Sequence, residues 1–371
     1  MRWLMLAWMA GVLGTGCAAP SRVVRPRPDA PRVRQLAGDA LPMLGPDARV
    51  DRGLRAAAQE LASLATRPDA RLTPGAVRLA LGRAGYPGDA RFVRVIGGTE
   101  VPQPLLDAMP RGVPLDAGWA WRDLPDGGRW WVLGWAPRPA TLDPVPRDLP
   151  LDGAFGLRVE GVTDARVLVS SPAGRVEERD LPSGVARWLD VFHEPGEHRV
   201  EVVDGARVAL LFSVWVDSSP PPPAPLPGPA AVDAPMQAEG WLLSELQDLR
   251  ARAGLRPLTP FPAFVPHARA HATCLASAGV VAHATPHCPG VTELARRTHF
   301  PLARHREDVA AADTAAEAWE RVRNSPGHLQ NLLCTDCTHV SIGAAQTASR
   351  LFVTWELLDF PQGEPRANPA R

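Results

Sequence analysis

The 371-residue chain predicts several domains joined by tethers. Its hydrophobic pattern changes character along its length. Helical spacing followed by short strands occupies 46–147, strict alternation occupies 148–217, and helices mixed with strands occupy 237–360. Two Pro-rich stretches without apolar periodicity, 18–45 and 218–236, separate these zones and read as tethers. The expected fold is therefore multi-domain: a small α+β domain, a small all-β sandwich, and a C-terminal domain of helices and strands, with a short tail at 361–371.

Residues 1–17 read as an export signal. Arg2 supplies a minimal positive region, and Trp3 to Leu13 is an apolar run too short to span a bilayer comfortably. Thr15 and Gly16 directly before Cys17 resemble the lipobox of bacterial lipoproteins, with Gly14 where Leu is usual. That resemblance implies a lipid on the thiol of Cys17. Ala18 after it implies the outer membrane as destination, so the expected location is the cell envelope. The alternative is an ordinary signal peptide cleaved nearby. Several acyl chains would hold the protein far better than the marginal grip of one.

Composition narrows the function classes. Forty basic residues balance 40 acidic ones, which gives no argument for a nucleic-acid partner. All of the basic residues are Arg, so Schiff-base chemistry and a Lys general base are excluded.

In the α+β domain, VDRGLRAAAQELASLA has helical spacing, and Thr73-Pro74 places an N-cap and a first-turn Pro before GAVRLALGRAG. RFVRVIGG reads as a strand, and WAWRDLPDGGRWWVLGW as a hairpin turning at Pro125 to Gly128. Its five tryptophans, Trp119, Trp121, Trp130, Trp131 and Trp135, are expected to be core and cross-strand packing, with a sugar-binding platform as the alternative. From 148 to 217, six alternating segments between Phe155 and Val216 predict a small immunoglobulin-like sandwich without cysteines. The Pro run at Pro220–Pro223 predicts an extended, semi-rigid spacer.

In the C-terminal domain, Leu242, Leu246, Leu249 and Ala253 recur at helical spacing before Gly254. Ala268, Ala272, Leu275 and Ala276 mark a second helix ending at Gly279, and a third covers about Thr314 to Arg323. Ser325-Pro326-Gly327 then breaks the chain, and THVSIGAA and RLFVTWELL read as antiparallel strands.

In order, LLSELQDLRARAGLRPLTP, PAFVPHARAHATCLASAGVVAHATP, RHREDVAAA, RVRNSPGHLQNLLCTDCTHVSIGAA and LFVTWELL resemble the bacterial branch of the CAP family of cysteine-rich secretory and pathogenesis-related proteins. The resemblance covers about a third of the chain and implies an α-β-α sandwich with an open cavity lined by His and Glu. In the wider family two His and two Glu there can bind a divalent cation. His283 matches the first family His and Glu307 the Glu of the family's Gly-Glu-Asn, although Arg306 and Asp308 replace its neighbours. The family's second Glu falls on Ser325 and its second His near Asp336, so His328 of SPGH is the expected substitute, with His339 as a weaker candidate. His283, Glu307, His328, His339 and Ser325 are thus the expected cavity residues, and His283, Glu307 and His328 the expected ligands of any Zn²⁺ or other divalent cation, though none is required. His267, His271, His287, His299 and His305 match no family role and are expected on the surface or in loops.

Four further cysteines, Cys274, Cys288, Cys334 and Cys337, fall in this domain, and an even number in an exported domain predicts two disulfides. Cys274 with Cys288 and Cys334 with Cys337 is the favoured one of three pairings; a redox-active Cys-x-x-Cys and a Cys₄ zinc site are the alternatives. No GxSxG or HExxH is present. The expected function is therefore a non-catalytic envelope lipoprotein. Its C-terminal cavity would bind a small ligand (lipid, peptide or glycan) or an envelope protein. The alternative is a metal-dependent or His/Glu-assisted, peptidase-like hydrolase.

Overall fold

A computed structural model describes residues 48–360 except 89, 99–106, 108, 111, 139, 206, 291, 294–295 and 297–301. The signal segment with Cys17, the first tether, His299 and the C-terminal tail lie outside the described residues. The chain divides into two compact units, with the boundary between Pro229 and Ala230. No helix among the described residues is long and apolar enough to cross a membrane.

The first unit begins with strand β1 (Ala48–Val50) and helices α1 (Arg52–Leu64) and α2 (Pro74–Ala84). Asp51 caps α1 by accepting from the amides of Gly53 and Leu54, and Thr73 caps α2 through Ala76 N. Strands β2 (Arg91–Gly97), β3 (Leu115–Asp123) and β4 (Arg129–Pro137) complete a sheet in the order β1-β3-β4-β2. The predicted hairpin is β3–β4, and all five of its tryptophans are buried. Trp130 joins the core under the helices, whereas Trp119, Trp121, Trp131 and Trp135 pack together on the opposite face.

Each of the six alternating segments of the next zone contains strand. Short strands β5 (Thr141–Leu142), β6 (Asp148–Leu149), β7 (Phe155–Leu157) and β8 (Val159–Glu160) lead into β9 (Ala165–Ser170), β10 (Val176–Leu181), β11 (Arg187–Leu189), β12 (Gly196–Asp204) and β13 (Arg207–Val216). They form one five-stranded sheet, β10-β9-β12-β13-β6, and two two-stranded ribbons, β11-β7 and β5-β8, around one continuous core.

The Pro-rich stretch, expected to be an extended, semi-rigid spacer, makes contacts with its own unit. Leu226 is buried in the core beneath α1 and α2, and its amide donates to Leu64 O at 3.0 Å. Prolines cannot donate from their own backbone, but their carbonyls still accept. Here Arg83 donates to Pro221 O, and Arg71 to Pro227 O and Gly228 O. The segment to Pro229 is therefore docked within its own unit.

The second unit contains α3 (Pro235–Arg252), β14 (Thr259–Pro260), α4 (Val265–Ala278), β15 (Arg304–Ala312), α5 (Ala315–Arg323), α6 (Pro326–Leu332), β16 (His339–Gln346) and β17 (Leu351–Asp359). The sheet order is β14-β16-β17-β15, antiparallel except for the β14–β16 pair. Side chains from α3, α5 and α6 cover one face of this sheet, meeting Ile342, Val353, Trp355 and Leu357. On the other face, α4 lies over β16 and β17. A Cβ on Gly343 would come within 2.2 Å of the Ala268 carbonyl carbon, so only glycine permits this approach. Thr354 Oγ1 donates to Ala268 O at 3.2 Å and fixes the same contact. The result is the expected α-β-α sandwich.

Both favoured disulfides are present. Cys274–Cys288 ties α4 to the loop carrying His283, and Cys334–Cys337 closes a short turn before β16. In that first loop Thr285 Oγ1 accepts from the amides of His287 and Cys288, and Thr285 N donates to Cys288 O. Closing a loop of roughly 15 residues restricts the unfolded chain by about 3 kcal/mol. Cys274→Ala with Cys288→Ala is expected to lower the stability of the C-terminal unit by about 2–4 kcal/mol, measured by denaturant unfolding of the full chain. An unchanged midpoint would contradict this account.

Candidate functional site

The alternation of β15 distributes the RED segment over both faces of the sheet. Glu307 and Val309 face α4, whereas Asp308 and Ala310 face the α5–α6 side. Buried Asp308 Oδ1 accepts from Asn331 Nδ2 of α6 at 2.8 Å, and burial pushes its carboxyl well above the usual range against that bond.

Glu307 is the centre of the site. One carboxylate oxygen, Oε2, lies 2.8 Å from His283 Nδ1, and the other, Oε1, lies 2.8 Å from His271 Nδ1. The first contact is a hydrogen bond; the second is an ion-pair contact outside hydrogen-bond alignment, so His271 Nδ1 and Glu307 Oε1 are each left without a hydrogen bond. Burial works to raise the pKa of Glu307, but the contacts and charges of both imidazoles outweigh it and hold the carboxyl below its usual range. Burial likewise opposes charge on His271, yet Glu307, with help from Glu356, holds its pKa above the ordinary value. For half-exposed His283 the hydrogen bond to Glu307 is the main cause, and its pKa is also raised.

A second carboxylate completes the group. Glu356 of β17 stands directly opposite Glu307 in the β15–β17 register. Like charges opposite one another in a sheet repel. Its side chain is fully buried; burial, and then the Glu307 charge, push its pKa up to about 7 despite His305. His305 Nε2 lies 2.9 Å from Glu356 Oε2. The five side chains therefore run His283, Glu307, His271, Glu356, His305 across the α4 face of the sheet.

Of the residues selected from sequence, His283 and Glu307 are brought together. His328 sits on α6 with a buried Nδ1 that has no hydrogen-bond partner, and burial, with the His283 charge, lowers its pKa to about 4. Ser325 is the N-cap of α6, accepting from His328 N at 3.5 Å. His339 opens β16 edge-on to Phe261 and Phe360, with Nδ1 2.8 Å from Thr338 Oγ1. Asp336 pairs with Arg304 and Arg306 instead of facing the site. Two groups of three metal-type donors lie within 4.8 Å of one another among the described residues: His271 with Glu307 and Glu356, and Cys334 with Asp336 and Cys337. The trio His283, Glu307 and His328 is not one of them.

Two expectations need correction. His271 and His305 are not surface or loop residues: His271 is on the buried face of α4, and His305 is on β15 bonded to Glu356. Glu356 was not selected at all. The signal for it was a single acid inside LFVTWELL, whose apolar residues do not alternate with polar ones. Such a strand is buried on both faces, and an acid within it requires a partner.

An α-β-α sandwich with a His/Glu cluster on one face of its sheet is the class that this geometry defines. The sequence model of the CAP, or cysteine-rich secretory protein, family matches residues 243–357, and this C-terminal domain is a CAP domain. That match covers less than half of the chain. Among solved structures, an extracellular protein containing an SCP domain from Bacillus anthracis is 20% identical with a TM-score of 0.31, covering 44% of this chain and 57% of its own. An outer surface protein from Borrelia burgdorferi is 20% identical with a TM-score of 0.31, over 33% of this chain and 93% of its own. A cysteine-rich secretory protein from Staphylococcus aureus is 10% identical with a TM-score of 0.28, over 65% of this chain and 83% of its own. No curated protein matches the chain.

The shifts give stability a definite pH dependence. His271 and His283, with raised pKa values, stabilise fully below their unfolded values and lose that contribution as pH rises through their folded ones. Glu307, with a depressed pKa, stabilises above its unfolded value and loses its contribution as pH falls through its folded one. Glu356, with a raised pKa, costs stability progressively as pH rises from its unfolded value to about 7, and that loss is complete above it. In EDTA, the stability of the C-terminal unit is expected to be highest near about pH 5 and to fall from there to about pH 8, first through Glu356 and then through the two histidines. Glu356→Gln should flatten that fall and raise stability at pH 8 by about 1–3 kcal/mol, the scale of one desolvated polar group. Parallel pH curves for variant and parent would contradict this.

Proposed function

We propose that the protein is a cell-envelope lipoprotein, anchored at the outer membrane through Cys17, whose CAP domain binds an acidic ligand without catalysis. The supporting observation is the double engagement of Glu307. Its carboxylate is already held by His271 and His283, so it is not a free base, and the hydroxyl of Ser325 is committed to capping α6. What the site offers to solvent is the half-exposed ring of His283, whose pKa the carboxylate beneath it raises. An imidazole oriented in this way and favoured in its charged form is a charge-assisted donor suited to a carboxylate or phosphate, such as a lipid headgroup or an acidic peptide end. The immunoglobulin-like reading of residues 148–217 belongs to this proposal as a spacer, supported by six alternating strand segments around one core.

One set of expressed variants tests both parts. Cys17→Ser should move the protein from the membrane to the soluble periplasmic fraction. Native mass spectrometry of the parent from envelopes should find a bound acidic molecule that His283→Ala loses while remaining folded. Sedimentation of Cys17→Ser with membranes after normal signal cleavage would refute the anchor. Casein hydrolysis by the parent that His283→Ala abolishes would favour the hydrolase reading instead.

A further inference from the structure

The atoms of the buried cluster that make no hydrogen bond define a second, deeper site. Each carboxylate has one oxygen held by an outer histidine: Glu307 Oε2 by His283, and Glu356 Oε2 by His305, at 2.8 and 2.9 Å. Of the remaining atoms, Glu356 Oε1 and His271 Nε2 are buried without a hydrogen-bond partner, and Glu307 Oε1 and His271 Nδ1 meet each other at 2.8 Å out of hydrogen-bond alignment. His271, Glu307 and Glu356 are all at least nine-tenths buried, and one donor atom from each lies within 4.8 Å of the others. Buried polar atoms are nearly always satisfied, so a converging set of unsatisfied ones needs an explanation.

We propose that His271, Glu307 and Glu356 form a divalent-cation site, with His283 and His305 as positioning residues that orient the two carboxylates. One neutral imidazole and two carboxylates suit Zn²⁺ in ligand type. Donors about 2.1 Å from one ion stand at most about 4.2 Å apart, and small side-chain rotations close a spread of at most 4.8 Å to that value. Outer partners that hold the far oxygen of a ligating carboxylate are a regular feature of protein metal sites, and their loss weakens binding about 10–100-fold. A cation here also removes the conflict between two acids placed directly opposite each other in adjacent buried strands. The site differs from the one that the family resemblance implies, because it shares only Glu307 with the trio that includes His283 and His328. The Cys334, Asp336 and Cys337 group is a poorer candidate: both thiols are consumed in a disulfide, and Asp336 is paired with two arginines.

The test uses the full chain, stripped with EDTA, dialysed at pH 7.5 and titrated with Zn²⁺ by calorimetry. The parent is expected to bind one Zn²⁺ per chain. Glu356→Gln and His271→Gln should each weaken binding at least 100-fold, His305→Ala about 10–100-fold, and His328→Ala not at all. X-ray absorption at the zinc edge of the loaded parent, which requires no variant to fold, should show nitrogen and oxygen donors only. Failure of the stripped parent to bind Zn²⁺, sulfur in the zinc coordination shell, loss of binding in His328→Ala, or undiminished binding in a folded Glu356→Gln would each overturn the proposal. The ligand reading stays distinguishable, because Glu356→Gln leaves the His283 and Glu307 hydrogen bond in place and should retain the acidic molecule.

Discussion

A carboxylate buried like that of Glu307 stays ionised only where positive charge reaches it more effectively than water would. His271 supplies that charge from the helix above, and His283 supplies it from the loop at the rim. Most of the C-terminal unit can be understood as the means of holding these two rings against one strand. Close packing of α4 on Gly343 brings His271 down to the sheet, and the Thr354 hydroxyl fixes the helix through Ala268 O. The Cys274–Cys288 bridge then ties the end of that helix to the His283 loop, so both imidazoles depend on one element.

The same constraint explains the behaviour of the second acid. Register places Glu356 directly opposite Glu307, and one low-dielectric layer does not accommodate two adjacent bare charges. With Glu307 held ionised, the cost falls on Glu356, which retains a proton up to about pH 7. The site is thus asymmetric in charge although its residues are arranged almost symmetrically, each carboxylate being held by an outer histidine.

Much of this was legible in the sequence where local rules apply. The cap expected at Thr73 lies at a helix start, and Gly279 ends α4 in the left-handed conformation. The pairing of His283 with Glu307 followed from family resemblance, since 24 residues separate them. Two features were not legible because they depend on tertiary register. His271 faces the sheet only because Gly343 lets α4 approach it, and Glu356 meets Glu307 only through the β15–β17 pairing. The Pro-rich stretch shows a related limit: composition predicted its extended form but not that Leu226 would enter a core.

The most direct measurement of the central claim is a double-mutant cycle on the buried pair, with His271→Gln and Glu307→Gln made singly and together and unfolded in EDTA at pH 6. If the carboxylate is held ionised by the helix imidazole, the two changes should be strongly non-additive, with a coupling energy of about 1–3 kcal/mol. Additivity within about 0.3–0.5 kcal/mol would mean that the two groups do not sense each other, and would contradict the account.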